Sequence, residues 1–260
     1  MILALNTSTQ QFGMALLEEK GTPEAYVLLP QGKGHFGQLM PTLEFMLKAS
    51  EFSIEDITCI AIASGPGSFT GLRVGLSLAK GLSHTLHLPL IGISTLEALA
   101  SEAPLTSLPV APVLYARKNE VFTALFTWDM DRLLVREEED ICLRWKDLPH
   151  VFKGATLFVG NDFETQAPLI REELGPKAVL APPHHWHLDP LSIGVRALKR
   201  RQARNHDDPF TLRPTYMRPP DIRPNPFPLL HSRHESNGDG RHPKDNPVDN
   251  HVQKIYRRTR

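Results

Sequence analysis

A chain of 260 residues, 41% hydrophobic and 22% charged, carries enough apolar material for one large domain or two lobes around a substantial core. Its 29 Lys and Arg balance 29 Asp and Glu, so the whole molecule is no electrostatic magnet for nucleic acid or membrane. Two cysteines, Cys59 and Cys142, sit in apolar stretches without a CxxC pair, which argues for a reducing compartment and against a disulfide framework or a cysteine-based zinc site.

MILALNTSTQ opens the chain as a strand and its turn rather than as a signal peptide, and no stretch reaches the roughly eighteen apolar residues of a membrane span, so a cytoplasmic protein is expected. ILALN (2–6) and FGMALLEE form a predicted hairpin, and YVLLP (26–30) a third strand. From His35 to Ala49 the apolar spacing becomes helical, through Phe36, Leu39, Met40, Leu43 and Met46. Ser53 with Asp56 resembles a capping box, ITCIAIA (57–63) reads as a buried strand, and a helix is predicted from Ser68 to His84. LIGI (90–93) is strand-like, and Ser94 with Glu97 announces the next helix. The first lobe, 1–103, therefore reads β-β-β-α-β-α-β-α, an α/β layout.

Pro104, Pro109 and Pro112 mark the crossing into a second lobe, 104–218. VLYAR, EVFTALFTW and RLLVREEED read as successive antiparallel strands, followed by TLFVG, a helix near 162–174 and a short AVLAP strand. Residues 189–204 form the last predicted helix, with Asp189 as N-cap and Pro190 at its first position. The remainder, 219–260, belongs to a stretch (205–260) holding nine of the 23 prolines, and disorder is expected from about residue 225 because such a segment cannot offset its ordering entropy by burial. No internal repeat is visible in the residues.

Residues 61–81, AIASGPGSFTGLRVGLSLAKG, hold the most informative pattern. A glycine turn between a strand and a helix N-terminus suits an anion, with Ser68 and Thr70 adding hydroxyls, but neither Walker A nor GxGxxG is present. The same glycines also suit close packing. Gly67, Gly71, Gly75 and Ala79 recur every fourth residue and share one helix face. A helical glycine costs about 1 kcal/mol relative to alanine, and close approach by another backbone, in this chain or a second one, would offset it.

IASGPGSFTGLRVGLSLAKGL resembles the signature of the TsaB (YeaZ) family, the partner subunit in bacterial synthesis of N6-threonylcarbamoyladenosine on tRNA. The resemblance extends through ILALNTST, GHFGQLMPTLEFMLKAS, LPLIGISTLEALA and APVLYARKNEVFTALF to TLRPTYMR, covering roughly 1–218. It implies a two-lobe actin/sugar-kinase-like (ASKHA, ribonuclease H-like) fold with a degenerate nucleotide site and no catalytic residue. It also implies a TsaD-type transferase and a TsaE-type ATPase as partners, with tRNA reached through the complex. The implied docking surface comprises His35, Phe36, Leu39, Leu43, Met46, Gly67, Gly71, Arg73, Gly75 and Ala79, and Gly71→Leu is expected to abolish docking while leaving the fold soluble. A vestigial anion pocket falls on Thr7, Ser8, Gly65, Gly67 and Ser68. No cofactor is expected in the chain alone, with ATP or ADP at the partner interface as the alternative.

Two positions depart from the family pattern: Asn6 and Tyr115 each stand where an aspartate is usual, removing the negative charge a metal would want. An actin-fold ATPase or kinase and a homodimeric interaction module are the rival readings. Arg73 is a candidate partner for a carboxylate or phosphate. His184, His185 and His187 read as a solvated loop rather than a metal site, and no GxSxG elbow supports hydrolysis.

Overall fold

The run ILALN forms β1 (Ile2–Asn6), buried along its whole length. Its burial follows from its place at the centre of a five-stranded sheet covered on both faces. The computed structural model describes residues 1–30, 35–117 and 119–218, without the side chains of His35 and Phe36. The segment 219–260, expected to be disordered, lies outside the described residues, as do those two side chains of the expected docking surface.

β1 pairs antiparallel with β2 (Gln11–Leu17), which pairs antiparallel with β3 (Pro23–Pro30). On its other side β1 runs parallel to β4 (Cys59–Gly65), and β4 parallel to β5 (Leu90–Ser94), giving the order β3-β2-β1-β4-β5. The second sheet joins β6 (Val110–Arg117), β7 (Glu120–Trp128), β8 (Leu134–Arg144), β9 (Thr156–Gly160) and β10 (Ala178–Leu180). Its order is β10-β9-β6-β7-β8, with β6, β7 and β8 antiparallel and β6, β9 and β10 parallel. Counted within each half, both sheets have the order third, second, first, fourth, fifth with the same strand directions. A repeat invisible in the residues is therefore explicit in the hydrogen bonds, and it is the duplicated architecture of the actin/sugar-kinase-like fold.

Helices α1 (Leu39–Ala49) and α2 (Phe69–Leu86) cover one face of the first sheet. α1 turns Leu39, Leu43, Met46 and Leu47 onto Leu3, Leu5 and Met14, each fully buried Leu or Met contributing about 1.5–3 kcal/mol. The capping box expected at Ser53 and Asp56 is present, at the head of a short 3₁₀ turn. α3 (Thr95–Ala100) starts where Ser94 accepts a hydrogen bond from the Glu97 amide. α4 (Leu148–Val151) and α5 (Phe163–Leu174) belong to the second half.

The last helix, α6 (Pro190–Gln202), is capped by Asp189 as its sequence predicts. The expected grouping of 104–218 as one lobe followed chain order, but α6 returns to the first sheet. Its Ile193, Ala197 and Leu198 share a core with Ile2, Ala4, Ala15 and Leu17. The segment after it follows: the Asp207 amide donates to the Leu90 carbonyl and the Thr215 amide to the Ser64 carbonyl, both at 2.8 Å.

Candidate functional site

At the end of β1, Asn6 is fully buried, and both polar atoms of its side chain are engaged. Its Oδ1 accepts from the Ser8 amide at 3.0 Å and the Ser8 hydroxyl at 2.9 Å. Its Nδ2 donates to Thr9 Oγ1 at 3.0 Å and, at 3.4 Å each, to the carbonyls of Gln11 and Leu188. Aspartate has no donor for those three acceptors, so the amide at this position tightens the turn. The arrangement does not fit a metal, since no side-chain oxygen of Asn6 is left over. Among the described residues no group of three or more metal-ligating side chains gathers anywhere.

The glycine turn packs directly on this turn. The Ser68 amide donates to the Ser8 carbonyl at 2.8 Å, so a backbone oxygen of the chain itself occupies the first donor of the helix N-terminus. Ser68 caps α2 by accepting from the Gly71 amide at 3.3 Å. A Cβ at Gly67 would overlap the Ser8 carbonyl, one at Gly71 the Thr7 carbonyl, and one at Gly75 the Thr7 side chain. Gly65, at φ +117, lies against the backbone of Thr215. Of the residues expected around an anion, Ser8, Gly67 and Ser68 meet with backbone filling the space between them, Thr7 lies on Gly71 and Gly75, and Gly65 faces Thr215 instead. Thr7 Oγ1 is buried and has no hydrogen-bond partner.

These contacts reassign the four-residue glycine pattern. Gly71, Gly75 and Ala79 were expected on a docking face; they are buried and face the β1–β2 turn and the core of their own chain. Leu39, Leu43 and Met46 likewise point at the sheet and are at most 4% exposed. Gly71→Leu is therefore no clean test of docking, because it would displace Thr7 before it reached a partner. The outward face of α1 carries Met40 (49% exposed) and Phe45 (65%), and that of α2 carries Phe69 and Arg73. The apolar periodicity of α1 marked the side facing its own sheet. The signal for the other side was the occurrence of Met40 and Phe45 where an amphipathic helix normally places polar residues.

Arg73 pairs with neither a carboxylate nor a phosphate among the described residues. Its guanidinium lies 3.9 Å from the centroid of the Phe69 ring, and its Nε donates to the Tyr216 hydroxyl at 3.0 Å. The Phe69 and Tyr216 rings are 5.3 Å apart, so the closing segment leaves a small aromatic–cation stack at the start of α2. Tyr115 is exposed, with no carboxylate in its place to hold a cation. His185 turns Nδ1 to the Glu102 carbonyl at 2.6 Å and stacks near His184, a structural role.

Among known proteins, the family described as TsaD, tRNA N6-adenosine threonylcarbamoyltransferase, matches residues 30–155. The tRNA threonylcarbamoyladenosine biosynthesis protein TsaB of Bacillus subtilis is 28% identical over 219 residues, covering 84% of this chain and 93% of that protein. The protein of the same name from Escherichia coli is 30% identical over 221 residues, covering 82% and 94%. Two solved structures from Pseudomonas aeruginosa share the fold at 21% identity. YeaZ has a TM-score of 0.68, covering 83% of this chain and 98% of that one. An uncharacterized protein with similarity to peptidase YEAZ has a TM-score of 0.70, covering 84% and 99%. With identity of this order running across both halves of the duplicated fold and through the glycine turn, the chain belongs to the TsaB (YeaZ) family.

Proposed function

We propose that this chain takes part in forming N6-threonylcarbamoyladenosine beside the anticodon of tRNAs that read codons beginning with A, as a non-catalytic subunit that supports a TsaD-type transferase. The reading rests on the relatives named for that biosynthesis and on one observation of the site: the Ser8 carbonyl occupies the head of the glycine helix. With that donor taken and Asn6 committed to its own turn, the chain offers little with which to hold a metal–nucleotide complex alone. ATP or ADP would then belong to the assembled interface. A TsaE-type ATPase joins the same assembly, and tRNA contacts come through the transferase. No helix among the described residues is long and apolar enough to cross a membrane, and a cytoplasmic location goes with this role.

Docking is assigned to the outer faces of α1 and α2, where Met40, Phe45, Phe69 and Arg73 are exposed. Three exposed large hydrophobics on two neighbouring helices of one sheet face are more than a surface needs for solubility. Leu39, Leu43, Met46, Gly71, Gly75 and Ala79 support that face from beneath; His35, Phe36 and Gly67 adjoin it. The test is gel filtration with light scattering, with this protein alone and mixed with the TsaD-type protein of the same genome, with and without ATP-Mg. A stable mixed complex is expected, weakened about 10- to 100-fold by Phe45→Asp with no change in Tm. Unchanged affinity of the Phe45→Asp protein would move docking elsewhere, and the lack of any mixed complex under both conditions would overturn the partner reading.

A further inference from the structure

A cavity of about 280 Å³ opens between α6 and the tip of the β7–β8 hairpin. It shares no lining residue with the β1–β2 turn or the glycine turn, and none with the outer faces of α1 and α2. Its apolar lining residues are Trp128, Leu134, Leu191 and Val195. The polar lining comprises three cations, Arg132, Arg196 and Lys199, with Ser101 and Ser192, whose hydroxyls already bond the Ala98 carbonyl and Glu102; no carboxylate lines it. That concentration is not the average of the body, since residues 1–204 hold 19 Lys and Arg against 22 Asp and Glu.

The cations are poorly spent within the chain. The Arg196 side chain is only 11% exposed, and its one ion pair among the described residues is a long one, 3.5 Å to Glu97, itself 36% exposed. A guanidinium has five N–H donors, and a single ion pair of that length leaves it capacity for another acceptor. Arg132 and Lys199 have no ion pair among the described residues. Arg132 also sits at φ 57, a left-handed position in the hairpin turn that Gly or Asn adopts more readily. The Trp128 Nε1–H is buried without an acceptor. Three cations and no carboxylate beside apolar side chains are the features of a small-ligand site for an anion, with arginines suited to bidentate contact with a phosphate.

We propose that this cavity binds a small organic phosphate, its phosphate held by Arg196, Lys199 and Arg132 and its flat apolar body set against Trp128, Leu191 and Val195. The proposal does not depend on the docking reading, because the two surfaces share no residue.

Three probes separate head from body: AMP and CMP, with a purine and a pyrimidine ring, and inorganic phosphate, with none. Titrating each into the ¹⁵N-labelled full chain and following amide shifts locates binding directly. Saturable shifts are expected at Ser101, Ser192, Val195 and Lys199, with at least one nucleotide bound about tenfold more tightly than phosphate. Lys199→Glu, a change at an exposed residue, is expected to weaken that nucleotide about tenfold while the remaining spectrum stays native. Arg196→Gln is expected to abolish binding. The proposal is overturned by shifts confined to Thr7, Ser8 and Gly65–Ser68, by nucleotides that bind no tighter than phosphate, by unchanged affinity in Lys199→Glu, or by no saturable shift at millimolar probe.

Discussion

Two glycines of α2 look alike in the sequence and differ completely in what surrounds them. A Cβ at Gly71 would overlap the Thr7 carbonyl, a backbone atom that cannot rotate away, whereas a Cβ at Gly81 meets nothing within 4 Å. Overpacking a rigid contact costs about 1–3 kcal/mol, of which the better helix propensity of alanine returns about 1. Gly71→Ala is therefore expected to destabilise the protein by up to about 2 kcal/mol, and Gly81→Ala to stabilise it by about 0.5–1 kcal/mol. Urea unfolding of the two variants measures both; equal and favourable effects would mean that the turn yields to a methyl group. The recurrence of glycine at every fourth position was legible, and so was the conclusion that something approaches that face closely. The identity of the approaching group was not, because spacing within a helix carries no information about which distant backbone fills the groove. The same holds at Asn6. The missing carboxylate was readable as a lost metal ligand, but its positive role, donating to the Leu188 carbonyl, joins residues 182 positions apart.

At the scale of the element, α6 shows how a helix start can be fixed by its neighbours' charges. The Asp189 amide donates to Glu102 Oε1 at 3.1 Å, so the N-terminal turn rests on a carboxylate from the end of α3. Burial raises the Glu102 pKa to about 7, against hydrogen bonds from Ser192 and Asp189 that lower it. A carboxyl that is easier to protonate in the folded protein than in the unfolded chain stabilises the fold at low pH. Its contribution is fully present below the unfolded value near 4.5 and is lost as pH rises to about 7. Glu102→Gln keeps an acceptor for the Asp189 amide and removes the charge. It is expected to be neutral near pH 4.5 and to stabilise progressively above it, by at most about 3 kcal/mol at pH 8. Thermal unfolding across pH 4.5–8 decides this, and a variant that tracks the parent protein at every pH would show that Glu102 ionises in the fold without penalty. The helix itself was plain from Asp189, Pro190 and its apolar stripe. Its destination was not, since an amphipathic stripe declares that one face is buried and leaves open against which sheet.

The whole molecule is two copies of one hydrogen-bonding pattern, exchanged at their ends: α6 closes the first core, and α3 packs against the second, with Leu96 and Ala100 beside Val110 and Val113. The order β-β-β-α-β-α-β-α was legible in the first half only: the four residues of α4 are too few to show a helical period between RLLVREEED and TLFVG, and backbone pairing, not side-chain identity, is what the halves share. A segment after α6 holds this exchange in place. Asp207 accepts from the Gly92 amide at 2.8 Å and from both terminal nitrogens of Arg200, at 3.1 and 3.2 Å, while Arg200 donates to the Gly92 carbonyl at 2.7 Å. One carboxylate thereby satisfies the edge strand β5 and fixes the last turn of α6 against it. Removing it leaves an amide of β5 and a partly buried guanidinium without their acceptor, a loss of about 2–3 kcal/mol for charge-assisted bonds of this kind. Asp207→Ala is expected to lose that much in urea unfolding, whereas the neighbouring Asp208→Ala, whose carboxylate bonds only the nearby Phe210 amide at an exposed site, should lose about 1 kcal/mol or less. If the two variants unfold alike, the strap is incidental and the exchange of α6 is maintained by its apolar face alone. If they differ as expected, the chain beyond the second sheet is part of the first, and a truncation intended to isolate the first half must carry α6 and residues 205–216 with it.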